Sequence, residues 1–141
     1  MRIGYTTGVF DMFHTGHLNI LKRAKENCDR LIVGVTTDEL CLSRKGKTPV
    51  VSFADRVQIV QAIKYVDEVV PQESMDKMAA QRQYQFNIMF VGSDWQGSAE
   101  WSELEKTMAA IGVKIMYFPY TQNISSSKLR PKCGNAVKDE N

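Results

Sequence analysis

The sequence predicts an open parallel α/β sheet in one domain, and three observations carry that prediction. Apolar runs of strand length alternate with stretches of helical periodicity along the chain. The run at residues 31–35 (LIVGV) is apolar throughout, as a parallel strand covered on both faces requires. At residues 5–25 (YTTGVFDMFHTGHLNILKRAK) a strand leads through glycine straight into a helix start.

In order, Ile3 and Tyr5, with Thr6 and Thr7, suit a buried first strand, and Gly8 is expected to turn the backbone closely. His14 and His17 stand in the opening turn of a helix whose Leu18, Leu21 and Ala24 share a face. Residues 31–35 form the second strand. Residues 38–51, with Arg44, Lys45 and Lys47 around Gly46, read as a mobile basic loop. Ser52 caps a helix that buries Val57, Val60 and Ile63. Residues 66–70 make a third strand closed by Pro71, and Ser74 or Met75 opens a helix with Met75, Met78, Ala79 and Arg82 on one face. Residues 88–91 are the fourth strand. A helix from about Ala99 ends at Gly112, a C′ glycine, and residues 113–118 form the last strand. TQNISSSKL leads into a short helix, so the folded domain spans residues 1–130, with a polar, flexible tail at 131–141.

Composition narrows the function classes. The chain has 141 residues, 43% hydrophobic and 24% charged, which is globular. A net charge of +2 without a lysine/arginine block argues against a nucleic-acid partner. The 3 cysteines are scattered and form no CxxC, so they read as reduced thiols in a cytoplasmic protein. Apolar runs are strand-sized, which argues against membrane insertion.

In open α/β sheets ligands sit beyond the carboxyl ends of the strands, where the strand order switches. GVFDMFHTGH follows the first strand, the basic stretch the second, GSDWQG the fourth and TQNISSSK the fifth, so all are expected to face one crevice. A strand running through glycine into a helix N-terminus gathers N–H groups and the positive dipole end, which suits a phosphate. Taken alone, each feature has a plainer reading. Two histidines three apart on a helix are more often structural or a metal pair, Lys45 and Lys47 could be solvated surface, and Ser125, Ser126 and Ser127 could be a simple helix cap. No dedicated metal cluster is visible.

Read together, these segments resemble a known group. HTGH at 14–17 after a GVFD turn resembles the HxGH signature of the nucleotidyltransferase superfamily, and ISSSK at 124–128 is similar to its second, ISTTK-type signature. KYVDEVVP at 64–71 and GSDWQG at 92–97 are similar to segments of the glycerol-3-phosphate cytidylyltransferases, and RKGKTPV resembles the ethanolamine- and choline-phosphate enzymes. The resemblance covers about residues 1–130. It departs from the usual pattern at Lys64 and Tyr120, where the family often carries arginine.

The resemblance implies a Rossmann-like open parallel five-stranded sheet with helices on both faces, and transfer of CMP from CTP to a phosphorylated alcohol. Glycerol 3-phosphate is the first choice of acceptor, and pyrophosphate is released. It implies His14, His17 and Lys45 as catalytic. It assigns Gly8, Val9, Phe10, Lys47, Lys64, Gly92, Asp94, Thr121, Ile124, Ser125, Ser126 and Ser127 to the nucleotide, and Asp11, Lys77 and Trp95 to the substrate. Asp11 is expected to brace the turn more than to perform chemistry. Mg2+ bound with the triphosphate and a homodimer are also implied. The alternatives are an adenylyltransferase of the same superfamily, an ethanolamine- or choline-phosphate enzyme, and a nucleotide-binding module without turnover.

Overall fold

The computed structural model describes residues 1–92 and 97–118. Five strands run parallel in the order β3-β2-β1-β4-β5, with β1 at Ile3–Gly8, β2 at Arg30–Thr36, β3 at Glu68–Gln72, β4 at Ile88–Gly92 and β5 at Lys114–Phe118. Between them lie α1 (Thr15–Glu26), α2 (Asp38–Lys45), α3 (Phe53–Gln61), α4 (Lys77–Tyr84) and α5 (Ala99–Ala110). This is the Rossmann-like sheet the sequence predicts.

Two buried clusters, one per face, show the layers. Leu21 and Ala24 of α1 and Val60 of α3 pack with Leu31, Val33 and Val35 of β2 and with Ile88 and Phe90 of β4. On the other face Met108 and Trp101 of α5, with Met78 and Tyr84 of α4, meet Tyr5, Ile32 and Met89. Odd and even residues of β2 thus serve opposite layers, which is why its sequence shows no polar alternation.

The strand order places the site. The chain builds outward from β1 to β2 to β3, then returns to lay β4 on the other side of β1. The carboxyl ends of β1 and β4 therefore flank the switch in order, where a crevice opens. Thr6 Oγ1 donates to the Phe90 carbonyl at 3.0 Å and ties the two strands together at its floor.

Several boundaries differ from the sequence reading, each for a local reason. The first half of the expected basic loop is α2. Thr37 caps it by accepting the Leu40 N–H, Asp38 and Glu39 occupy the first turn, and Gly46 ends it in the left-handed conformation at φ 75°. Pro71 does not close β3, because the strand runs on to Gln72. The Gln72 carbonyl accepts from Thr37 N at 3.1 Å, so Pro71, one residue earlier, turns its nitrogen to the outer edge, where no ladder bond is lost. The helix expected from Ser74 or Met75 begins at Lys77, since Asp76 supplies the cap to the Ala79 N–H at 3.0 Å. Gly112 stands where expected, at φ 80° beyond α5. Gly112 N bonds the Ala109 carbonyl and Val113 N the Met108 carbonyl, which is a Schellman closure. The expected final helix and the tail at 131–141 lie outside the described residues.

Candidate active site

A histidine caps α1. His14 is extended (φ −141°, ψ −177°), and its Nδ1 accepts the Gly16 N–H at 3.0 Å. His17 reaches back, its Nδ1 accepting the His14 N–H at 3.1 Å. The result is a capping box built from two imidazoles in place of the usual serine and glutamate. A ring nitrogen that accepts a hydrogen bond carries no proton, so each neutral ring holds its proton on Nε2. The ring centroids are 4.1 Å apart, and Phe10 and Phe13 pack on His17 at 5.6 and 5.2 Å. His17 is 2% exposed. Sequence-local backbone bonds thus fix the pair and define which nitrogen of each ring can donate.

The turn that delivers α1 is strained. Gly8 does not supply the positive φ; it is needed because a Cβ there would meet the Phe10 ring at 3.0 Å. The left-handed backbone falls instead on Phe10 (φ 55°) and Met12 (φ 50°). For residues with a side chain this costs about 1–2 kcal/mol each. Two groups hold the turn in place. The Asp11 carboxylate accepts the Val50 and Val51 N–H groups, each at 2.9 Å. The Arg56 guanidinium, fully buried, donates to the Val9 carbonyl at 2.7 Å. Asp11, assigned to substrate by the resemblance, is therefore occupied in bracing the turn.

A cleft of about 210 Å³ lies over the switch point. Thr6, Gly8, Val9, Phe10 and His17 form one wall, and Val91 and Gly92 adjoin it. Arg44 and Lys45, from the last turn of α2, and Lys77, from the first turn of α4, bring three cations to its lining. Behind them Thr36 Oγ1 donates to Gln72 Oε1 at 2.6 Å. Lys77 Nζ lies 5.6 Å from the centroid of the Trp101 ring, over its face. Burial pushes the Lys77 pKa below the usual lysine value and Arg44 adds to that, while Glu100 and Asp76 oppose it. A cation held at such a cost is set to meet an anion.

Of the expected site residues, Gly8, Val9, Phe10, His17, Lys45, Lys77 and Gly92 line this cleft, with His14 three residues before His17 in the same cap. Lys47 is exposed, two residues past the end of α2, and does not line it. Lys64 does not line it either. It follows α3, ahead of β3, so it belongs to the amino end of the sheet, away from the cleft, with its Nζ over the Tyr65 ring at 5.3 Å. The crossover that makes β3 parallel carries the chain back to that end. Asp94, Trp95, Thr121, Ile124, Ser125, Ser126 and Ser127 lie outside the described residues. Sequence reasoning placed Arg44 only within the basic stretch facing the crevice, and did not assign Arg56, Gln72, Glu100 and Trp101 to the site. Arg56 did leave a trace, since it stands four residues before Val60 on the buried stripe of α3, where an apolar residue is expected.

A helix N-terminus capped by two imidazoles, one of them lining a cleft with three cations, is equipment suited to nucleotide phosphates in an α/β protein. The chain belongs to the cytidylyltransferase-like family, which it matches over residues 5–132, and so to the nucleotidyltransferase superfamily. It is 32% identical to a glycerol-3-phosphate cytidylyltransferase of Bacillus subtilis (strain 168) over 126 residues, covering 89% of this chain and 92% of that protein. It is 38% identical to an FAD synthase of Pyrococcus horikoshii over 119 residues, covering 80% and 77%. Among solved structures, a lipopolysaccharide core biosynthesis protein from Thermoplasma volcanium GSS1 aligns with a TM-score of 0.70 at 28% identity, over 86% of this chain and 97% of that one.

Proposed function

We propose that the protein transfers CMP from CTP to a phosphorylated alcohol, with glycerol 3-phosphate as first choice, giving a CDP-alcohol and pyrophosphate. The observation that carries this reading is the double-histidine cap whose His17 lines one cleft together with three cations. In the reaction an oxygen of the acceptor's phosphate attacks the α-phosphorus in line. A new P–O bond forms as the bond to the β-phosphate breaks, and pyrophosphate leaves with the electron pair. No covalent enzyme intermediate is needed; positioning and neutralisation of charge do the work. His14 and His17 donate from Nε2 to oxygens of the reacting phosphate. Arg44 and Lys45 hold the triphosphate, and Lys77 meets the acceptor's phosphate.

Among the described residues no three His, Cys, Asp or Glu side chains cluster as a metal site. Magnesium in this reading arrives on the nucleotide's phosphates and not in a protein cage. Among those residues no helix is long and apolar enough to cross a membrane; a cytoplasmic location is part of the proposal. A homodimer belongs to the same reading.

The FAD synthase relative, the more identical of the two enzymes named above, favours a second reading, adenylyl transfer from ATP to a phosphorylated acceptor such as flavin mononucleotide. Pyrophosphate release with CTP and ATP, each against glycerol 3-phosphate, ethanolamine phosphate, choline phosphate, ribitol 5-phosphate and flavin mononucleotide, separates them. Turnover only with ATP overturns the cytidylyl assignment; binding of nucleotide without turnover favours a non-catalytic module.

A further inference from the structure

We propose that Arg56 is a positioning residue for nucleotidyl transfer. One buried fork sets the distance between the histidine wall of the cleft and its cationic wall, resting on the reading of that cleft given above. Arg56 is 0% exposed, yet it sits on the core-facing stripe of α3 beside Val60. Its Nη1 donates to the carbonyls of Val9 and Thr36, both at 2.7 Å, its Nε to that of Val51 at 3.0 Å, and its Nη2 to Asp38 Oδ1 at 2.6 Å. Val9 belongs to the strained turn that leads to His14. Thr36 ends β2, and Asp38 is the first residue of α2, which carries Arg44 and Lys45. The same side chain therefore grips both walls.

Stability alone does not call for this arrangement. A well-packed apolar side chain in a core commonly does as well as a buried ion pair or better. What an apolar residue cannot do is give two N–H groups to carbonyls that end two neighbouring strands. Lysine lacks the planar fork to reach three directions at fixed angles. The strain points the same way. Phe10 and Met12 both hold left-handed backbone, a state that persists only when surrounding contacts over-determine it. Arg56 grips the residue before Phe10, and Asp11, between the two strained residues, is tied to Val50 and Val51. Asp38 Oδ2 accepts the Phe53 N–H at 3.2 Å and closes the network.

The test uses Arg56→Lys, the milder Asp11→Asn, and Val60→Ala as a core control outside the network. In the full-length protein, pyrophosphate release gives kcat and KM, thermal unfolding gives stability, and amide spectra report Val9, Phe10 and Met12 against Ile115 of β5. The expected result is a fall in kcat of about 10²-fold for Arg56→Lys, as for a displacement of roughly 1 Å in a reacting group, with KM changed far less. Amide shifts should be confined to the turn and the start of α2. Val60→Ala should lower the unfolding midpoint while sparing kcat in the folded protein. If Arg56→Lys does not fold, Asp11→Asn should show the same kcat loss and turn-confined shifts, and normal kcat with unmoved turn amides there overturns the proposal. So does an Arg56→Lys protein whose kcat is unchanged, or falls only in proportion to its folded fraction. If the parent protein turns over no nucleotide, the functional reading fails. The turn amides and their response to added CTP or ATP then decide the clamp by themselves, with unmoved amides and an unaltered response in Arg56→Lys counting against it.

Discussion

The backbone N–H of His14 donates to Nδ1 of His17 at 3.1 Å, so the group that closes the helix start also fixes which nitrogen of His17 is left to act as a donor. Capping and chemistry are joined in one pair of rings. They can be separated because a cap needs only an acceptor, whereas transfer needs the reach of an imidazole.

Replacing His14 by Ser keeps an N-cap acceptor, and replacing it by Ala does not. His14→Ala is expected to lose about 0.5–2 kcal/mol of stability and His14→Ser far less. Both should lower kcat by about 10²–10³, as for loss of one transition-state donor. Chemical denaturation together with pyrophosphate release checks both halves. Normal turnover in the Ser variant would remove His14 from the chemistry.

Lys77 should trade stability for function. Burial, with Arg44 adding to it, lowers its pKa in the folded chain. Between that value and the ordinary lysine value near 10.4 the unfolded chain binds more protons, so stability rises with pH through the window. Below the folded pKa the cost of the buried charge is fully present. Lys77→Met should therefore raise the unfolding midpoint at pH 7 and flatten its rise on the alkaline side. Loss of a charge-assisted bond of about 1.5–3 kcal/mol should raise the acceptor KM about 10- to 100-fold. A Met variant less stable than the parent at pH 7 would contradict this.

Asp67 sets an acid limit. Burial alone would push its carboxyl up, but the Lys25 ammonium at 2.6 Å and the Leu31 N–H at 2.7 Å outweigh that, and its pKa lies below the ordinary value. A depressed carboxyl contributes stability above the unfolded pKa, near 3.9, and loses it as pH falls through the folded value. Asp67→Asn should be the less stable protein at pH 7, and the two unfolding midpoints should converge as pH drops below about 4. Parallel curves down to the acid transition would refute the assignment.

Gly112 should resist replacement even though a Cβ there would meet nothing within 4 Å. Its φ of 80° is the obstacle. Gly112→Ala is expected to cost about 1 kcal/mol and to lower the unfolding midpoint by roughly 2–4 °C. An unchanged midpoint would mean that the Schellman turn re-forms differently.

The sheet was legible because a parallel strand buried on both faces leaves little choice of residue. LIVGV in β2 and IMFV in β4 show this directly. The switch-point rule then located the cleft before any side chain was placed. What stayed hidden depended on contacts across the chain. Residues 38–45 looked polar, yet Thr37 and Gly46 cap them into a helix, and that helix brings Arg44 to the cleft while leaving Lys47 outside. Asp11 was expected to brace the turn, but its partners, the Val50 and Val51 N–H groups 39 and 40 residues away, could not be read from the local pattern. A motif match carries no information on which end of the sheet a residue occupies, and Lys64 stands at the amino end.

Pro71 has a further consequence for how copies of the chain can meet. It is the fourth of the five residues of β3, the outermost strand on its side among the described residues, with its nitrogen turned outward. An extended segment arriving at that border finds a missing donor near the strand's carboxyl end, which opposes continuation of the sheet there by a second molecule. Growth into fibres by that route is blocked at one residue. Self-association of the folded protein through that border is therefore disfavoured.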